Sequence, residues 1–164
     1  MHDLSLYLLD IIENSVRAGA TVIATSITAS RADDTLTITV EDDGPGLPIA
    51  PEQVMDPFFT TKTGKKTGLG LSLFRQAAEA AGGELPLGDS AELGGVAVAA
   101  RMSLANVDRP PLGDIAATLA TMALTNPEIE FRVALRDDER RLELRGAEMQ
   151  QQYAALVGYQ EALA

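Results

Sequence analysis

Thr35-Leu36-Thr37-Ile38-Thr39-Val40-Glu41-Asp42-Asp43-Gly44-Pro45-Gly46 is the stretch on which the reading of this chain turns. Its first half alternates polar and apolar residues without a break, the period of a strand with one face against a core. Its second half sets two glycines and a proline directly after three acids, which takes the backbone out of the sheet into an irregular loop. Upstream, residues 31–34 are polar and turn-like, and residues 21–30 predict a strand that forms a hairpin with 35–40.

Working outward, Leu4, Tyr7, Leu8, Ile11 and Ile12 recur at three- and four-residue spacing and predict an amphipathic helix over residues 4–16. Its polar face gathers Asp3, Asp10, Glu13, Asn14 and Arg17, and Gly19 reads as a C-terminal cap. After the acidic loop, residues 51–55 predict a short helical turn, and residues 56–67 show no sustained period and read as a loop. Gly68-Leu69-Gly70 then opens a helix that buries Leu71, Phe74, Ala77, Ala78 and Ala81 and stops at Gly82-Gly83. Two more strands are predicted over 84–88 and 96–104. The element order predicts an α+β fold, a two-layer α/β sandwich with helices on one face of a mixed sheet.

Arg109-Pro110-Pro111 marks the internal boundary, because consecutive prolines continue neither a ladder nor a helix interior. It divides a unit over residues 1–106 from a small α/β extension over 107–164, expected to pack on the first unit or to dock a partner. In the extension, Leu112, Ile115, Ala116, Leu119, Met122 and Ala123 predict a helix. Residues 128–135 and 142–145 predict a hairpin around Asp137-Asp138, and residues 146–163 a final helix. There is no internal repeat.

The formal charge of −11 argues against a nucleic-acid or anionic-membrane partner, since such partners are met by an excess of Lys and Arg. With no cysteine there is no disulfide, thiolate metal site or Cys nucleophile, which suits a cytoplasmic location. The apolar stretch 4–12 is interrupted by Ser5 and Asp10 and is far too short for a membrane span, so no targeting or spanning segment is expected.

Three separated segments together resemble the histidine-kinase-like ATPase superfamily, which includes DNA gyrase B, heat-shock chaperones and the MutL repair proteins. The resemblance covers roughly residues 3–105 and implies a Bergerat-type fold that binds ATP with Mg²⁺. The first segment runs from Asp10 to Thr21; it sets Asn14 at the family's metal position and Arg17 one turn further on. An amide oxygen suits Mg²⁺ as a hard donor. Hydrolysing members carry Glu one turn before that Asn, where it orients or deprotonates water, and here Asp10 stands there as the implied catalytic carboxylate, with Glu13 the neighbouring carboxylate.

The second segment is Asp42-Asp43-Gly44-Pro45-Gly46, similar to the family's first glycine box. The resemblance implies that Asp42 accepts the adenine amine, with Gly44 and Gly46 admitting the base. The third, Asp56-Pro57-Phe58-Phe59-Thr60-Thr61-Lys62 followed by Thr67-Gly68-Leu69-Gly70-Leu71, resembles the lid and second glycine box of sensor kinases in particular. It implies nucleotide contacts from Phe59, Thr60, Lys62, Thr67, Gly68, Leu69, Gly70 and Leu71. Glycines at a helix N-terminus favour a phosphate, and Lys62, Lys65 and Lys66 add local positive charge. The chain departs from the family pattern at Asp10 and at Lys66, where Gly is more usual.

A complete sensor kinase has a phosphoacceptor His on a helix pair ahead of this domain, whereas the only His here is His2. The implied function is therefore a stand-alone ATP-binding regulatory protein or subunit, with ATP/ADP as ligands and a protein partner met through the extension. The alternatives are a protein kinase acting in trans on Ser or His of a partner, and a degenerate, non-binding structural subunit. The implied activity is ATP hydrolysis or ATP-dependent phosphotransfer in trans.

Overall fold

The computed structural model of the chain describes residues 2–47 and 69–163. The first helix, α1 (Leu4–Arg17), turns Leu4, Leu8, Ile11 and Ile12 into the core. The side chain of Asp3 caps it by accepting from the Leu6 N–H, and beyond Arg17 the chain turns at Gly19, where φ is +87°. Strands β1 (Val22–Ser30) and β2 (Thr35–Asp42) form the predicted antiparallel hairpin, with Ile27 opposite Ile38. The helix after the undescribed stretch, α2 (Leu69–Ala80), is followed by β3 (Leu87–Asp89) and β4 (Val96–Ser103). The remainder forms α3 (Ile115–Thr125), β5 (Glu130–Arg136), β6 (Arg141–Arg145), a 3-10 turn (Gly146–Glu148) and α4 (Tyr153–Leu163).

All six strands join one mixed sheet in the order β3-β4-β2-β1-β5-β6. The pairing of β5 with β1 is parallel and the other pairings are antiparallel, so residues beyond Pro111 complete the sheet begun by the first hairpin. Alternation decides which side chains go inward. Ile23, Ile27, Leu36, Ile38, Ala100, Phe131 and Leu135 all lie on the helix-covered face and are buried. In the covering layer α1 packs between α2 and α3, α2 rests on β4, and α4 packs on α3. One hydrophobic cluster runs through Ile12, Ile38 and Phe74 into Leu119, Phe131 and Leu156.

The strand predicted over 84–88 is two pieces. Glu84 makes an isolated bridge with Arg101, and the strand proper begins at Leu87. Pro86, with no N–H to donate, offers only its carbonyl, to the Ala99 N–H at 3.1 Å, and so interrupts the ladder. The helix predicted over 146–163 is also divided. The Glu148 carboxylate reaches back to the Arg145 N–H at 2.9 Å and closes a 3-10 turn, and the α-helix starts at Tyr153. Leu112 precedes α3, which begins after the N-cap Asp114. The helical turn predicted over 51–55 and the loop over 56–67 lie outside the described residues.

Candidate functional site

Asp42 ends β2 on the helix-covered face, one alternation beyond Val40, and is only 4% exposed. A carboxylate so buried needs partners, and among the described residues it has three. Oδ1 accepts from the Gly44 N–H at 3.0 Å and from the Val96 N–H at 3.1 Å, and Oδ2 accepts from the Ser15 hydroxyl at 2.6 Å. A carboxylate has about four lone-pair positions. Those donors fill both positions on Oδ1 and one on Oδ2, and among the described residues no donor takes the remaining position on Oδ2.

The frame around Asp42 comes from β4 as well as β2. The Gly95 N–H donates to the Asp42 carbonyl at 3.0 Å. A Cβ at Gly95 would sit 2.2 Å from Asp42 Oδ1 and 2.6 Å from the Gly44 nitrogen, so only glycine fits there. Next along the chain, Asp43 accepts from the Thr21 and Val22 N–H groups at 2.7 and 2.9 Å and from the Thr21 hydroxyl at 2.5 Å. The Thr21 hydroxyl first, and then the Val22 amide, hold its carboxyl below the usual range. Two adjacent acids thus have different work: Asp43 ties the loop to the start of β1, and Asp42 presents an acceptor. Gly46 turns the chain away at φ +86°.

Above this floor lies the polar side of α1. Asp10 stands against the start of α2, where a Cβ on Gly70 would lie 3.2 Å from Asp10 Oδ2. One turn on, the Asn14 amide oxygen accepts from Arg17 Nη2 at 2.6 Å. Ser15, the neighbour of Asn14, points the other way, to Asp42. The structure therefore brings Asp10, Asn14, Arg17, Asp42, Gly44 and Gly70 to one end of the helix-covered side, and Leu71 is buried just inside α2. The backbone of Leu69 begins α2. Phe59, Thr60, Lys62, Thr67 and Gly68 lie outside the described residues.

Among the described residues no three His, Cys, Asp or Glu cluster as a metal cage. Sequence reasoning missed Ser15, Gly95 and Val96. Ser15 stands beside Asn14, which draws the reading, and Gly94-Gly95 before a strand reads as an ordinary turn.

Residues 2–106 match the family described as "Histidine kinase-, DNA gyrase B-, and HSP90-like ATPase". The chain is similar to the sensor protein ChvG of Agrobacterium fabrum, with 35% identity over 85 residues, covering 48% of this chain and 14% of the relative. It thus spans about a seventh of that relative's length. Among solved structures it resembles the Aquifex aeolicus MutL ATPase domain complexed with ADP, with a TM-score of 0.50 and 19% identity over 93% of this chain and 70% of that one. It also resembles the N-terminal domain of a DNA repair protein, with a TM-score of 0.50 and 12% identity over 92% of this chain and 55% of that one. At such identities the likeness is one of fold, and it extends past residue 106 into the sheet formed with β5 and β6.

Proposed function

This chain belongs to the histidine kinase-, DNA gyrase B- and HSP90-like ATPase family, and we propose that it binds Mg·ATP and hydrolyses it, as a regulatory module whose nucleotide state is passed to a protein partner. The observation that carries the proposal is the buried Asp42 carboxylate, held by Ser15, Gly44 and Val96 with acceptor capacity left on Oδ2. That remaining position suits the exocyclic amine of adenine. Guanine carries an oxygen at the corresponding position and would face the carboxylate with another acceptor.

Asn14 would hold Mg²⁺ through its amide oxygen after giving up the Arg17 hydrogen bond, and Arg17 would then turn to the phosphates. Magnesium, when bound, offsets phosphate charge. Asp10, against the N-terminal turn of α2, takes a proton from the water that attacks the γ-phosphorus while the bond to the bridging oxygen of ADP breaks. The coupling outward is supported by contacts between the extension and α1. Pro111 and Leu112 carbonyls accept from the Leu4 and Ser5 N–H groups at 2.9 and 3.0 Å.

Phosphate release and ATP-dependent melting, compared among wild type, Asp42→Ala and Asp10→Asn, test the proposal. Wild type should release phosphate and be stabilised by ATP in preference to GTP. Asp42→Ala should lose both properties, and Asp10→Asn should keep the melting shift while losing turnover at least about a hundredfold. No stabilisation of wild type by ATP would overturn the reading and leave a structural subunit of this fold. The similarity to a sensor protein favours a second reading, phosphotransfer to Ser or His of a separate protein. Labelled phosphate from γ-labelled ATP would then appear on that protein rather than in solution.

A further inference from the structure

The helices cover one face of the sheet, and the other face carries a row of small residues with charged residues around it. The register places Ala99, Thr39, Ser26 and Ala134 in one row across four strands, with nothing longer than threonine. A shallow cavity of about 660 Å³ lies over Thr39, Ser26 and Ala134 of this row, lined also by Glu41 and Glu92 and, along β5, β6 and the turn after it, by Arg132, Arg136, Glu143 and Glu148.

Most charges on this face are already paired. Glu130 takes Arg132 at 2.6 Å and Arg145 at 3.0 Å, Glu84 takes Arg101 at 3.0 Å, and Glu143 takes Arg141. Among the described residues, four that line this cavity are left without an ion pair: Glu41, Glu92, Glu148 and Arg136. Burial first, and then the nearby Glu92, hold the Glu41 carboxyl above its usual range. Two of the charges left over are placed symmetrically. Glu41 stands beside Ala24 on one side of β1, Arg136 stands beside Thr28 on the other, and Ser26 is midway between them.

We propose that this open sheet face is the interface of a homodimer, with a two-fold axis passing over Ser26 so that Glu41 of each copy pairs with Arg136 of the other. Glu41 is related through Ser26 to Arg136, so one two-fold operation pairs both of them, as an isologous contact requires, while Glu92 and Glu148 stay outside these pairs. Facing sheets pack roughly 10 Å apart. Small residues on the floor permit that approach, and Glu and Arg side chains span it. A different protein would need its own matching pair of charges, whereas a second copy supplies it automatically.

Sedimentation velocity of the whole chain across the micromolar range tests this. Wild type should sediment at twice the chain mass. Glu41→Arg and Arg136→Glu should each weaken dimerisation by about tenfold or more, and the double exchange Glu41→Arg/Arg136→Glu should restore it. Circular dichroism and the melting transition report whether each variant folds. Should either reversal fail to fold, Ser26→Arg, which sets like charges against each other on the axis, should give a folded monomer. A monomeric wild type, a dimer indifferent to these changes, or a double exchange that does not recover would each overturn the proposal.

Discussion

Asp43 and Asp42 are chemically identical neighbours, and the partners around each set what each does. Asp43 accepts from two backbone amides and a hydroxyl at the start of β1, and its native pKa is lowered. A carboxyl whose native pKa lies below its unfolded value, about 3.9, contributes stability that is complete above that value and is lost as pH falls through the native one. Asp43→Asn should therefore lower the melting temperature at neutral pH, and its difference from wild type should shrink as calorimetric scans are taken to strongly acidic pH. Gly95 makes a different kind of test, since its absent side chain is what lets β4 close on Asp42. Gly95→Ala should cost about 1–3 kcal/mol in urea unfolding and should weaken ATP binding, because the carboxylate must shift. The glycine-bracketed acidic loop was legible in the sequence, and the alternation of Leu36, Ile38 and Val40 carries on to turn Asp42 rather than Asp43 inward; the donors Ser15 and Val96 that hold Asp42 were not legible, because they come from elements far along the chain.

At the scale of elements, α1 is the joint between the two parts of the chain. Its first turn has unpaired N–H groups, as every helix does. The Asp3 side chain satisfies that of Leu6, and the carbonyls of Pro111 and Leu112 satisfy those of Leu4 and Ser5. Gly113, at φ +73°, lets the strap pass Asp3, where a Cβ would lie 2.4 Å from the Asp3 carboxyl carbon. Asp3→Ala should cost about 1 kcal/mol as a lost cap. Gly113→Ala should cost more and should also reduce nucleotide affinity, measured by calorimetry, because the strap shares its helix with Asp10 and Asn14. The amphipathic periods of α1 and α2 and the alternation of β2 were readable because those faces meet only one environment. The ends were harder to read: Pro86 interrupts the outer strand, and Glu148 divides the last helix.

At the scale of the molecule, β1 lies inside the sheet between β2 and β5. Phe131, Val133 and Leu135 of β5 are buried in the same cluster as Ile23 and Ile27. Burial of such side chains contributes about 1.5–3 kcal/mol each, so removing them exposes an apolar edge that the first part of the chain cannot close. A chain cut after residue 106 should lose cooperative folding, and the intact chain should unfold in a single transition with coincident near- and far-ultraviolet circular dichroism. Two separated transitions would instead mark residues 107–164 as an independent unit. The sequence by itself determined the α+β class, the first hairpin, the glycine-bracketed acidic loop and the family resemblance, because periodicity and local turn chemistry are properties of short stretches. Only the tertiary structure decided that the extension joins the sheet in parallel to β1, that Ser15 and Val96 hold Asp42, and that Glu41 and Arg136 are left unpaired on either side of β1 on an open face. Those facts depend on strand order and register, which are set by the packing of residues far apart in the chain and leave no mark on any single stretch of it.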